Sequence, residues 1–460
     1  MTARAVPLLL AAALAGCAVG ANYHRPAAPL SASYKSLAGW SPAAPADALD
    51  RGDWWTLFGD QTLNGLAARV AVSNQTVAAA EAAYRQARAL VAEQRAALLP
   101  VVSLDGGATR TGGSGQPKST AYRVSLGGTW EPDVWGRIRR TVEVARAQAQ
   151  VSEADLAAAR LSAQGELAID YFLLRESDAE IALLQSTVDG YRRTAEITNN
   201  RYKAGIVAHS DALQAETQLA NTQSALEALL QQRAVFEHAI AVLVGEAPGN
   251  FTLAPATWVD RTPDVPVALP AALLQRRPDI AAAERRVAAA NAQIGVATAA
   301  YFPDITLSGA YGAASSQIGN LFNASSTVWS FGVAAAETIF DAGARRAQVR
   351  GARAAYDAAV ANYRQTVLTA LQDVENQLTA TQVQARQEVL LRRASTAADQ
   401  TEQMVLNQYK AGKVSYVEVF TAQATALSAR RALVQTVVDR QTTAVALIQS
   451  LGGGWKAPGG

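Results

Sequence analysis

Apolar residues at Leu63, Leu66, Val70, Val77, Ala80, Tyr84, Ala87 and Val91 stand mostly three, four or seven apart. That is the spacing of one helix face, and it predicts a helix from about Thr62 to Leu98, stopped by Pro100. From Val101 the period falls to two. Val102, Leu104 and Ala108 alternate with Ser103, Asp105 and Thr109, and Tyr122, Val124, Leu126, Gly128 and Trp130 alternate with Arg123, Ser125, Gly127 and Thr129. A β-hairpin with one apolar and one polar face is therefore expected within 101–135, with its loop from Gly112 to Thr120. The helical period then returns for a long stretch without proline, Arg137 to Lys203, in which Leu167, Leu174, Ile181, Val188, Ala195 and Tyr202 fall seven apart. A sustained seven-residue repeat is a coiled-coil seam.

The same pattern is then written again. Asn200-Arg201-Tyr202-Lys203-Ala204-Gly205 returns as Asn407-Gln408-Tyr409-Lys410-Ala411-Gly412. In both copies a long helical pattern runs into the glycine and a shorter one leaves it, Ser210 to Gly245 and Tyr416 to Gly452, as at the tip of a helical hairpin. Upstream of the second tip, Phe302-Pro303 stops a helix as Pro100 did. Alternation resumes through Ile305, Leu307, Gly309 and Tyr311, then Trp329, Phe331 and Val333, around a loop from Gly312 to Thr327. A second proline-free run extends from Arg345 to Lys410. The chain thus reads as one duplicated unit, 61–246 with its tip near 205 and 271–452 with a hairpin in 304–340 and its tip near 412, joined by a proline-rich linker over 247–270 and followed by a tail, 453–460.

Composition sharpens this picture. Half the residues are apolar but only 7% are aromatic, and the excess is mostly alanine, which suits closely packed helices rather than a thick globular core. A formal net charge of +2 gives no sign of a nucleic-acid surface. At the start, Arg4, the apolar Val6 to Leu14 and the box Leu14-Ala15-Gly16-Cys17 read as a lipoprotein export signal over 1–16. Cys17 is the single cysteine, so acylation is the expected use of it, with 17–60 a lipid-anchored, extended N-terminal segment. Ala18 after it resembles lipoproteins sent to the outer membrane. Beyond the signal no apolar run approaches the roughly 18–20 residues of a spanning helix, so a further crossing must be made by strands. Four strands are too few to close a barrel, which takes at least about eight, and open edges do not sit in lipid. The chain must oligomerise if its strands are in a membrane.

No constellation for catalysis or metal binding is present: His24, His209 and His238 lack ligand spacing and no phosphate loop or nucleophile elbow occurs. An enzyme is not expected. The cluster Asp53-Trp54-Trp55-x-x-Phe58-x-Asp60 reads as an anchor beside a helix start, and Arg276-Arg277-Pro278-Asp279 as a helix-opening motif rather than a catalytic one. Asp211 and Glu418 each fall six residues past a tip glycine, where a carboxylate also suits the first turn of a helix. A lipid-anchored coiled-coil tether of the envelope, without a channel, would explain the anchor and the heptads but not the strands.

With Asp53-Trp54-Trp55, Trp130-Glu131-x-Asp133-x-Trp135-Gly136-Arg137, Arg276-Arg277-Pro278-Asp279, Phe302-Pro303, Phe340-Asp341-x-Gly343 and the paired tips in this order, the chain resembles the outer membrane efflux proteins of the TolC and OprM type, in the lipoprotein branch serving RND pumps. The resemblance implies a mainly α fold with a transmembrane β-barrel contribution: a homotrimer closing a twelve-stranded barrel in outer membrane lipid over a periplasmic tunnel of helices. It implies a passive exit duct without cofactor other than the lipid on Cys17, powered by an inner-membrane pump. A periplasmic adaptor would dock at the tips around Gly205 and Gly412, with Tyr202, Lys203 and Lys410. By position, Tyr409 and Asp211 match a hydrogen-bonded pair at the periplasmic gate, and Glu418 a constricting acidic ring. The chain departs from the pattern where a bridging basic residue is matched by Val414, beside Lys413, and a further acidic ring by Thr421.

Overall fold

The structure, a computed structural model, describes residues 19–29, 31, 33–35, 53–256, 258, 261–263, 265 and 277–453. Cys17, the export signal, Arg276 and the tail beyond 453 lie outside them. In chain order the longer elements are α1 (Gln61–Ser73), α2 (Gln75–Ala96), β1 (Val101–Gly113), β2 (Gln116–Trp130), α3 (Arg137–Lys203), α4 (His209–Leu243), α5 (Pro278–Ala299), β3 (Asp304–Ser315), β4 (Thr327–Ala336), α6 (Ala344–Lys410) and α7 (Tyr416–Ser450). The duplication is explicit in their lengths: α3 and α6 have 67 residues each, α4 and α7 35 each.

The described residues form two compact units, one within 19–28, 82–154 and 281–366, the other within 29–81, 155–280 and 367–453. Each draws on both sequence copies. The first contains the sheet, a meander in the order β1-β2-β3-β4 with every pair antiparallel. Residues directly opposite in such a sheet share a face. Leu104, Leu126, Tyr311 and Trp329 therefore make one apolar row across all four strands, and all four are exposed. The opposite face carries Ser103, Gly127, Ala310 and Ser330 in one row. β1 and β4 are left as edges.

The first hairpin is longer than its residues suggest. The expected loop from Gly112 to Thr120 is mostly paired, with Thr111 opposite Ser119 and Gly113 opposite Gln116. Polar side chains do not weaken a backbone ladder, and Pro117, which has no amide to donate, falls where the register shifts between Thr111 and Gly113. In the second hairpin pairing continues to Ala313 and Thr327, and short turns at Ile318–Asn320 and Ala324–Ser326 fill the loop.

In the same unit the N-terminal segment is strapped down by a buried arginine. Arg140 donates to the carbonyl oxygens of Val19 and Gly20 and to Asn22 Oδ1, while the Val19 amide donates to Trp135 O. The Trp135 indole stacks on Phe302 and donates to Pro303 O at 2.8 Å. Trp135 stands at the strand-to-helix junction of the first copy and Phe302-Pro303 at the helix-to-strand junction of the second.

The second unit holds the helical seam. Leu167, Leu174 and Val188 are buried as the heptads require, as are Val367, Val374 and Leu378. The single helix expected from Thr62 to Leu98 is divided at Asn74. Its side-chain oxygen accepts the Val77 amide and its Nδ2 donates to Leu243 O, so one buried residue starts α2 and ties it to the end of α4. Trp54, Trp55 and Phe58 are buried, Phe58 against Phe172. Asp60 caps α1 through Thr62 N and Leu63 N and accepts the Tyr171 hydroxyl at 2.5 Å. Arg277 grips Asp279, Asp373 and Ser450 O, a structural use of that motif. The described linker is pinned likewise, Leu253 and Ala254 carbonyls receiving Arg233 and Arg175, which both pair with Asp178.

Candidate functional site

The two hairpin tips close in the same way because glycine alone is at ease with φ near +75°. Gly205 and Gly412 have φ of 75° and 74°. Behind each, paired amides turn back onto the helix end: Gly205 N to Tyr202 O and Ile206 N to Arg201 O, then Gly412 N to Tyr409 O and Lys413 N to Gln408 O. This double bond pattern satisfies carbonyls that a helix end leaves without partners.

Around these turns the side chains part company. Tyr409 is 1% exposed and forms a small core with Ala215, Tyr416 and Val419, flanked by Ala195, Ile197, Val405, Leu406, Val414 and Phe420. Its ring meets that of Tyr416 edge-on at 5.9 Å between centroids. Its hydroxyl lies 3.0 Å from Thr198 Oγ1. Since that threonine already donates to Thr194 O at 2.9 Å, the tyrosine is the donor. Tyr202, at the same repeat position, is 38% exposed and stacks on His209 at 4.6 Å.

The hydrogen bond found at the Tyr409 hydroxyl is thus to Thr198, not to Asp211. Asp211 stands in the first turn of α4, half-buried, and acts on Tyr416: burial, then Tyr191, Tyr409 and Asp211 together push that phenol up to about 12. Glu418 is exposed in the first turn of α7. Lys203, Lys410 and Lys413 are exposed at the turns, and Val414 packs into the Tyr409 core. Thr421, exposed, donates to Val417 O.

Two residues of this cluster carry no role in the sequence reading. Thr198 sits one turn before Tyr202 and is not singled out by the residue pattern. Arg201 appears in the tip motif without function, yet its Nη1 donates to Tyr409 O at 2.7 Å and its guanidinium covers the Tyr409 ring at 4.7 Å. A usable signal was available, because the second copy replaces Thr198, Arg201 and His209 with Val405, Gln408 and Tyr416. The change from His209 to Tyr416 marks the copy with the buried aromatic pair, and the lone cation marks the side that reaches over. Among the described residues no cluster of His, Cys, Asp or Glu could hold a metal ion, and no helix is long and apolar enough to cross a membrane.

Comparison with known proteins agrees with this geometry. The family model described as outer membrane efflux protein matches residues 66–246 and 269–453. The chain is 29% identical to outer membrane protein OprJ of Pseudomonas aeruginosa, over 97% of this chain and 95% of that one. It is 30% identical to the toluene efflux pump outer membrane protein TtgI of Pseudomonas putida, over 99% of each. Among solved structures, that of the outer-membrane channel OprN superposes with a TM-score of 0.89 at 32% identity, covering 95% of this chain and all of the other.

Proposed function

The chain belongs to the outer membrane efflux protein family, and from that premise we propose how it conducts and how it closes. It is the exit duct of an efflux system, seated in the outer membrane and extending into the periplasm. The observation that carries the mode of conduction is the four-stranded sheet with an exposed apolar face and two unpaired edges. Neither edge can face hydrocarbon without losing several kcal/mol per unpaired group. Three copies would join β4 of one to β1 of the next and close a barrel of twelve strands, apolar outward and polar toward the lumen.

Passage is passive. A duct of this kind has no site for chemistry and no need of a cofactor. Energy enters from an inner-membrane RND pump through a periplasmic adaptor that docks on the tips around Gly205, Gly412, Tyr202, Lys203 and Lys410. Supporting that docking surface, Tyr202 and Ile206 are exposed there together with the lysines. The lipid is placed on Cys17. Val19, two residues on, donates its amide to Trp135 O.

Closure at rest is assigned to the block of Tyr409, Tyr416 and Asp211, with apolar packing through Val414 where relatives of the type carry a basic bridge. Glu418, brought near the axis in threefold, sets a cation preference at the mouth, since like charges at short range are tolerated mainly where a pore uses them. Conductance of the purified protein in a planar bilayer tests the whole reading. Small, rare openings in the parent that become large and stable in a Tyr409→Phe, Asp211→Ala double variant support duct and gate. Large steady currents from both keep the duct and remove the gate, and silence from both with insertion verified favours a tether. Glu418→Gln with unchanged ion selectivity removes the acidic ring.

A further inference from the structure

We propose that Arg201 is the latch of this gate: a positioning residue that holds the second hairpin tip shut against the first within one protomer. The inference rests on the reading of Tyr409 as a closing residue.

Arg201 takes part in both turns at once. Its backbone carbonyl accepts the Ile206 amide and so helps to close the first tip, while its side chain reaches the second. There the Tyr409 carbonyl already accepts the Gly412 amide at 2.9 Å, and the guanidinium supplies a second donor at 2.7 Å. A cation at the C-terminal end of α6 also meets the negative end of the helix dipole. The same planar group lies over the Tyr409 ring, an arrangement that a guanidinium makes better than an ammonium. A Cβ built on Gly412 would lie 3.7 Å from Arg201 Nη2, so the guanidinium rests against the turn itself. Thr198, one turn earlier on α3, takes the Tyr409 hydroxyl. Carbonyl, ring face and hydroxyl of one residue are thus all engaged by the end of α3.

The latch points one way. Gln408 occupies the matching position in the second copy, and among the described residues the first tip, with Tyr202 stacked on His209, shows no counterpart contact. No carboxylate is paired with Arg201 among the described residues, so its charge is spent on the carbonyl and the ring, and the link does not depend on the protonation of a partner. For the second hairpin to swing away from the first, these contacts must break together.

The experiment is single-channel recording of the full-length protein in planar bilayers for the parent, Arg201→Gln, Arg201→Lys and the Tyr409→Phe, Asp211→Ala double variant. Arg201→Gln installs the residue of the other copy. Its open probability is expected to rise about tenfold or more, the scale of one charged hydrogen bond plus one cation–π contact, at an unchanged fully open conductance. Arg201→Lys is expected to lie between, because the ammonium keeps a donor but loses the planar contact. A parental open probability for Arg201→Gln while the double variant opens overturns the latch and leaves the gate standing. Parental behaviour in both overturns the gate and the latch with it. If Arg201→Gln does not assemble, Arg201→Lys decides: a raised open probability supports the latch and a parental one overturns it.

Discussion

At the first tip Tyr202 is 38% exposed on an open stack with His209, whereas at the second Tyr409 is 1% exposed and meets Tyr416 within a closed core. The six-residue motif is nearly the same, and the glycine turns share their φ and their amide pairing. What differs is the company one turn away. Thr198 and His209 in the first copy become Val405 and Tyr416 in the second, and the apolar pair draws its tip inward against α3 and α4. Duplication therefore supplied two turns of the same backbone form, and a few side chains left the tyrosine of one exposed and buried that of the other.

The comparison predicts unequal responses to equal substitutions. Tyr409→Ala removes a fully buried ring and is expected to destabilise its tip by about 3–5 kcal/mol, read as faster amide exchange at Gly412 and Lys413. Slow exchange retained there would mean the tip does not depend on that ring.

Higher on the long helices the copies differ again, since buried Glu176 is matched by Val383, which is 38% exposed. The Glu176 carboxyl is pushed from 4.5 to about 7, first by burial and then by Glu180 and Asp439, with Arg431 opposing. A raised carboxyl favours the neutral form in the folded chain, so its contribution to stability is full below pH 4.5 and lost as pH rises to about 7. Glu176→Gln should recover roughly 2–3 kcal/mol near pH 8 and flatten the dependence of Tm on pH across that interval. An unchanged pH profile would assign the slope to other groups.

Smaller effects sharpen the contrast. Tyr409→Phe leaves ring and carbonyl in place and deletes only the bond to Thr198, a loss of about 1 kcal/mol in a denaturation series. Tyr202→Ala, at the open tip, should change stability by less than about 0.5 kcal/mol. A larger loss from Tyr202→Ala than from Tyr409→Phe would reverse the contrast between the open and the buried tip.

Much of this protein was legible in residue order alone. Periodicity fixed α3 and α6 to within a residue of their ends, because a helix without proline between two strong stops has few alternatives. Alternation located the strands, since one apolar face per hairpin leaves a single register, and the glycines located both tips. Local signals failed where a distant group supplied the partner. Asn74 breaks a helix because Leu243 O is there to receive it, and Gly112 to Thr120 pairs as strand because the opposite backbone is within reach. The seam placed Tyr202 with the buried heptads, yet the helix end carries it outward. Which of two near-identical tips is buried, and that Arg201 crosses from one to the other, were decided by packing between helices far apart in sequence. Periodicity records which face of an element is apolar; it does not record which neighbour that face will meet.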